Sequence, residues 1–122
     1  MPDKSTGRLG EDAAADYLRQ KGYTIVQKNF RTRLGEIDII AHDAAYIVFA
    51  EVKTRRRNAL ILPREAVDEK KQRRLILAAQ AYLSTHDIGT LQPRFDVIEV
   101  YTRAGTGFCV NEINQIESAF TL

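Results

Sequence analysis

Residues 36–53 read Glu36-Ile37-Asp38-Ile39-Ile40-Ala41-His42-Asp43-Ala44-Ala45-Tyr46-Ile47-Val48-Phe49-Ala50-Glu51-Val52-Lys53. Two runs rich in β-branched and aromatic residues flank the short break His42-Asp43-Ala44, which is the pattern of two strands joined by a tight turn. The spacing predicts strands over 36–42 and 45–53. Into these apolar runs the sequence sets Asp38, Glu51 and Lys53. Carboxylates and ammonium groups are costly to bury, so each of these charges needs a compensating partner. Side chains alternate along a strand, so Glu51 and Lys53 share one face about 7 Å apart, and Glu36 and Asp38 share a face of the preceding strand. Counted from a turn at residue 43, Asp38 lies five residues before it and Glu51 about eight after. Bringing the two acids opposite each other then requires a bulge or an offset turn.

The segments outside this hairpin fill in the fold. Leu9, Ala13, Ala14, Tyr17 and Leu18 recur at helical spacing, and Gly22 follows as a stop signal, predicting a helix over 7–21. Residues 23–30 suit a strand, and Arg33-Leu34-Gly35 a turn. A basic loop over 54–63 ends at Pro63. A long helix follows over 64–86, with Val67, Leu75, Ile76, Ala79, Tyr82 and Leu83 on one side. Residues 94–102 form a further strand, and 108–113 a last, weaker one. Residues 1–6 are a loose terminus. The order is α-β-β-β-α-β-β. Three strands joined by short turns pair as an antiparallel meander, and the long helix crosses back so that the fourth strand lies parallel to its neighbour. The expectation is an α/β sandwich with a mixed central sheet flanked by helices, in a single domain spanning residues 1–122.

Composition is that of a globular domain, 44% apolar and 28% charged. No apolar run is long enough for a transmembrane helix, and residues 1–8 lack the apolar core of a signal peptide. The single cysteine, Cys109, forms no internal disulfide, and the expected location is the cytoplasm. The net charge of +2 is unevenly spread. Residues 53–74 hold nine Lys/Arg against three acids, a local charge of +6, and the rest of the chain is −4. This segment contains Arg55, Arg56 and Arg57 directly after Lys53, then Lys70, Lys71, Arg73 and Arg74 at the start of the helix. Arginine forks and lysine point charges both suit phosphates, although a solvated helix and loop would have the same composition.

Two carboxylates brought together repel unless a proton or cation intervenes. Mg²⁺ (or Mn²⁺) suits oxygen ligands from Asp38 and Glu51, with the Val52 main-chain carbonyl as a third. A cation held there polarises a phosphate oxygen and generates a nucleophile at neutral pH, while Lys53 orients a water or stabilises charge growing on phosphorus. That combination points to metal-assisted cleavage of a phosphodiester. His42 and His86 are isolated and have no zinc-ligand spacing. Asp96 shares a face with Ile98 and Val100, which favours a buried salt bridge or a helix cap over chemistry. Glu36 suits either a supporting role at the acids or a pairing with Arg33. Gln72 lies on the helix side that carries Ile76, Ala79 and Leu83. The basic segment carries no recognition-helix or zinc-finger pattern and no interleaved aromatics, so salt-sensitive binding with little base readout is expected.

The motifs Gly35-Glu36-Ile37-Asp38 and Glu51-Val52-Lys53-Thr54-Arg55 resemble those of the PD-(D/E)xK nuclease superfamily. From about Gly7 to Val100 the chain resembles, within it, the YraN-like family of bacterial predicted endonucleases, distantly related to archaeal Holliday-junction resolvases. The landmarks run in order: Gly10-Glu11-Asp12-Ala13-Ala14, Tyr17-Leu18, Gly22-Tyr23, Asn29-Phe30-Arg31, Val67 with Lys70, Arg74-Leu75, and Arg94-Phe95-Asp96-Val97-Ile98. The resemblance implies a restriction-endonuclease-like fold, with Asp38 and Glu51 as metal-binding acids and Lys53 as the catalytic lysine. It further implies that Glu11, on the first helix, completes the metal site; a first-turn glutamate favoured by the helix dipole is the other reading of that residue. Ile37 stands where the superfamily name has proline. The implied activity is metal-dependent endonucleolytic cleavage of DNA, including structured or branched DNA, by a homodimer. The alternatives are a nucleic-acid-binding module of the same fold that does not cut, and a scaffold in which the acids and lysine form only an ion-pair network.

Overall fold

The computed structural model describes residues 4–56, 69–103 and 107–120. The elements follow the expected order: α1 (Lys4–Gln20), β1 (Thr24–Arg31), β2 (Glu36–His42), β3 (Tyr46–Arg56), α2 (Glu69–Thr85), β4 (Gln92–Thr102) and β5 (Val110–Phe120). They build one five-stranded sheet in the order β1-β2-β3-β4-β5. β1, β2 and β3 form an antiparallel meander, β3 and β4 run parallel across the α2 crossover, and β5 returns antiparallel to β4. The mixed sheet and its helices are those the strand and helix spacing predicts. No described helix is long and apolar enough to cross a membrane.

The two helices cover opposite faces. Ala14, Ala15 and Leu18 of α1 pack with Ile39, Ala41, Val48, Ala50, Ile98 and Val100. Leu75, Ala78, Ala79 and Tyr82 of α2 pack with Ile37, Ile40, Ile47, Phe49 and Phe95 on the other side. This double cover explains why β3 and β4 read as near-continuous apolar runs instead of alternating ones. The side chains of Phe49 and Tyr82 meet edge-to-face at 5.8 Å, and Phe30 closes on Tyr82 at 5.4 Å.

Three boundaries differ from expectation. α1 begins at Lys4, inside the stretch expected as a loose terminus. β3 continues through Arg56, so Thr54, Arg55 and Arg56 are strand and not loop; their parallel partners Val100, Tyr101 and Thr102 extend the ladder. β5 runs to Phe120, well past residue 113. Its second half lacks a clean alternation because the ladder with β4 is irregular between Phe95 and Val97, and Ser118 takes a left-handed φ of 50°. The part of the expected helix over 64–68, together with Val67, Arg57 and the loop to Pro63, lies outside the described residues.

Two glycines set how closely the helices approach. A Cβ on Gly10 of α1 would lie 2.0 Å from the Thr54 Oγ1 of β3, and one on Gly35 would lie 1.8 Å from the Arg74 carbonyl oxygen of α2. The first obstacle is a side chain and the second is backbone. Gly35→Ala is therefore expected to cost about 1–3 kcal/mol or more in chemical denaturation. Gly10→Ala is expected to cost a similar amount alone and to be largely rescued by Thr54→Ala. A Gly35→Ala protein as stable as wild type would show that the close approach of this turn to α2 is not maintained in solution.

Candidate functional site

The β2–β3 hairpin turns at Asp43-Ala44-Ala45-Tyr46. The Asp43 carboxylate accepts from the N–H groups of Ala45 (2.9 Å) and Tyr46 (2.7 Å), and the Asp43 N–H donates to the Tyr46 carbonyl at 3.0 Å. The turn is thus centred between Ala44 and Ala45, not at residue 43. From it the ladder runs His42↔Ile47, Ala41↔Val48, Ile40↔Phe49 and Ile39↔Ala50. One step further along this register, Asp38 faces Glu51. Of the two expected devices, the offset turn is the one present, and this hairpin needs no bulge.

At that step the two strands separate. β2 stays paired with β1 through Phe30↔Ile37 and Arg31↔Glu36, while its ladder with β3 ends at Ile39↔Ala50. The alternation of β2 also slips there: Ile37 packs on the α2 side and Ile39, two residues on, packs on the α1 side. In place of the next ladder bond, the Val52 N–H donates to the Asp38 carboxylate at 2.8 Å. The N–H and C=O of one strand residue project to the same side, so the Val52 carbonyl faces the β2 side as its N–H does.

The opening is a cleft of about 160 Å³ lined by Glu36, Asp38 and Glu51 from the sheet and Lys71, Arg74 and Leu75 from α2. Lys53 is on the same face as Glu51, as the strand period requires, and its Nζ lies 3.2 Å from the Glu51 carboxylate. This pair keeps some contact with water, at 21% and 17% side-chain exposure. Burial works against the Lys53 ammonium, yet its contact with Glu51 leaves its pKa above the ordinary lysine value. The Glu51 carboxylate is the physical cause, because a second ammonium at Lys71 can only lower it.

Asp38 is the most perturbed acid of the cleft. Burial pushes its carboxyl up to about 7, the Val52 N–H opposes the rise, and repulsion from Glu11, Glu51 and Glu36 adds to it. Glu11 stands on α1, close enough to repel Asp38 but not among the cleft-lining residues. Its own pKa is raised by burial, against a hydrogen bond from Asn29 and the charge of Lys28. Asn29 holds a left-handed φ of 56° within β1, a conformation that asparagine tolerates better than most residues. The neighbouring Lys28 pairs with Asp12. These contacts tie α1 to β1 beside the acids. Asn29 enters the sequence reading only as a landmark of the resemblance, with no role at the site, although an asparagine inside an otherwise regular strand is itself a signal of unusual backbone.

The donor set suits a divalent cation. Three neighbouring carboxylates repel Asp38, which has a single N–H donor to offset them, so a cation held directly at Asp38 would relieve that repulsion. Among the described residues no three His, Cys, Asp or Glu side chains converge as a complete protein cage. Asp38, Glu51 and the Val52 carbonyl would offer part of a shell, as Mg²⁺ sites that keep several waters require.

The basic residues divide. Lys71 and Arg74, three apart on α2, line the cleft, and Lys70 and Arg73 are exposed on the same first turns. Arg56 is exposed at the end of β3. Arg55, in contrast, is only 14% exposed and its Nε lies 3.4 Å from Glu99 of β4. Gln72 is half-buried and does not line the cleft. Arg57 is not among the described residues. Asp96 is fully buried and accepts from Arg94 Nε (2.9 Å) and Nη2 (2.8 Å), Gln115 Nε2 (2.8 Å) and the Ser118 N–H (3.1 Å). It is a structural acid, as its apolar strand face indicates. His86 stacks on Tyr82 at 3.9 Å and His42 contacts the Asp43 carbonyl, so neither reaches the cleft.

The two buried acids predict opposite behaviour. Asp38 holds its proton more tightly folded than unfolded, where its pKa is 3.8. Stability therefore falls as pH rises from about 4 to about 7, by at most on the order of 4 kcal/mol. In metal-free buffer Asp38→Asn is expected to melt higher than wild type at pH 8, with the gap closing below pH 4. Asp96→Ala, which strands the Arg94 guanidinium, is expected to cost about 3–5 kcal/mol at pH 8. An Asp38→Asn protein less stable than wild type at pH 8 would contradict this account of Asp38.

The sequence has counterparts in known chains. The model of the family described as Uncharacterised protein family UPF0102 matches residues 10–100, a span that includes Glu11, Asp38, Glu51, Lys53 and the α2 cations. A UPF0102 protein of Caldanaerobacter subterraneus subsp. tengcongensis is 45% identical over 117 residues, covering 96% of this chain and 95% of that one. One from Persephonella marina is 44% identical over 116 residues, covering 95% and 93%. One from Caldicellulosiruptor saccharolyticus is 41% identical over 120 residues, covering 98% and 100%. The chain belongs to the UPF0102 family, the YraN-like proteins.

Proposed function

We propose that this protein is a metal-dependent endonuclease that hydrolyses phosphodiester bonds in DNA. The observation that carries the reading is the convergence of Asp38 and Glu51 at the point where β2 and β3 part, with the Lys53 ammonium beside them and Lys71 and Arg74 on the opposite wall. The cleft carries charges of both signs on its walls and has room for a phosphate and its waters. It therefore suits a reacting group on a backbone that passes over the opening.

The residues have separate tasks in this reading. Lys71 and Arg74 draw a phosphate toward the acids and hold it by charge and hydrogen bonds, without reading bases. Asp38, Glu51 and the Val52 carbonyl would hold Mg²⁺ or Mn²⁺, which supplies Lewis-acid activation of the phosphate and of a water. Lys53, kept charged by Glu51, stabilises negative charge that grows at phosphorus. Glu11 acts behind Asp38, adding negative potential that favours a cation. Lys70, Arg73 and Arg56 extend the positive surface along the path of a strand.

A panel of linear, flapped and four-way-junction DNAs, with RNA alongside, tests this in Mg²⁺ and in Mn²⁺. Wild type is expected to cut DNA, and Lys53→Ala to lose about 100-fold or more in rate while still binding. Lys71→Ala and Arg74→Ala are each expected to weaken binding and to flatten its salt dependence by about one unit of slope. Cutting that persists undiminished in Lys53→Ala would remove this cleft from the reaction. Tight binding without cutting under every condition would favour a non-catalytic module on the same fold.

A further inference from the structure

The turn between β1 and β2 is built more firmly than a simple connection requires. The Thr32 N–H donates to the Gly35 carbonyl at 2.8 Å, and the Thr32 Oγ1 accepts from the N–H groups of Leu34 and Gly35, both at 3.1 Å. Gly35 is buried and seated so closely on the Arg74 carbonyl that no side chain would fit there. The backbone of the turn is thereby fixed against α2 at the lip of the cleft, one residue from the cleft-lining Glu36. On this rigid base Leu34 is 61% exposed, more than any other large hydrophobic among the described residues, the rest of which reach 38–43%. Arg33 beside it is exposed, and Arg31 is 73% exposed with only a 3.4 Å surface pairing to Glu36.

A lone exposed leucine usually needs no explanation. This one is presented by a hydrogen-bonded turn, flanked by arginines, next to a cleft whose chemistry suits a phosphate. Apolar side chains, leucine among them, insert as wedges against the faces of unstacked bases. In a continuous duplex those faces are covered, and uncovering one costs a few kcal/mol per step. At a bulge, flap or end a face is already open.

We infer that Leu34 is a probe for an unstacked base next to the phosphate held in the cleft, with Arg33 and Arg31 gripping the flanking backbone. The inference rests on the nuclease reading and adds to it a specificity residue: the turn makes the protein prefer DNA with a local break in stacking over continuous duplex.

The experiment compares binding to a continuous duplex and to the same duplex with one extrahelical base, in EDTA so that cutting does not intervene. Leu34→Ala is expected to lower affinity for the bulged DNA about tenfold more than for the continuous one. Because Leu34 is exposed, its melting temperature should match wild type. The chain has no tryptophan, so Leu34→Trp provides a sole reporter, expected to be quenched on saturation with the bulged DNA and much less with the continuous duplex. Equal losses on both DNAs, or no loss on either, overturn the role of Leu34 while leaving the nuclease reading standing. An unquenched tryptophan under saturating bulged DNA does the same. Wild type that binds neither DNA overturns both.

Discussion

The hydrogen bond from the Val52 N–H to the Asp38 carboxylate is the contact on which the site depends. It occupies the place where the β2–β3 ladder would otherwise take its next backbone bond. A side chain that replaces a ladder bond both ends the pairing and fixes the distance between the parting strands. The cleft is the space left by that parting, and Asp38 is at once its hinge and its floor. One N–H satisfies a small part of what two carboxylate oxygens can accept. The remaining capacity is directed into the cleft, beside Glu51, where three further carboxylates raise the cost of keeping it charged.

Asp96 shows what the same residue type looks like when the fold alone is served. It is more deeply buried than Asp38, yet four donors surround it, and its partner Arg94 is further held by the Tyr23 hydroxyl at 2.7 Å and by the Tyr46 ring at 4.8 Å. Burial works against the Arg94 guanidinium, but Asp96 keeps it well above its ordinary pKa. That network joins β4 to β5 and to the start of β1, and nothing in it is left over for a ligand. Burial alone does not separate the two acids. The balance of donors does: four for Asp96, one for Asp38. Unsatisfied capacity in a partly enclosed place is the physical mark of a site.

Much of this was legible in the sequence, for reasons that also mark its limits. Period-two spacing put Glu51 and Lys53 on one face, and the ion pair between them follows from that alone. The apolar companions of Asp96 announced its burial. The opposition of Asp38 and Glu51 depends on a turn offset of one residue and a half, which the sequence allows but does not fix, because Asp43 caps the turn from its first position and is not its middle. Arg55 stands apart from its basic neighbours for a similar reason: β3 runs on to Arg56, so alternation and the parallel ladder bring Arg55 within reach of Glu99. The full length of β5 was hidden because its pattern is broken by irregularities that only the partner strand explains.

What fixes the cleft is finally a matter of backbone and not of charge. The acids ride on β2 and β3, while Lys71 and Arg74 ride on α2, and electrostatic attraction between the two walls would be satisfied over a range of separations. Steric contact has no such tolerance. Gly35 against the Arg74 carbonyl sets the height of α2 over the turn that leads into Glu36 and Asp38, and Gly10 against Thr54 sets α1 against β3 one residue beyond Lys53. Both glycines stand directly before an acid of the region, Glu11 and Glu36. The absence of a side chain at those two positions lets each wall approach to a distance at which the charges can act together, which couples the packing of the helices to the chemistry of the cleft.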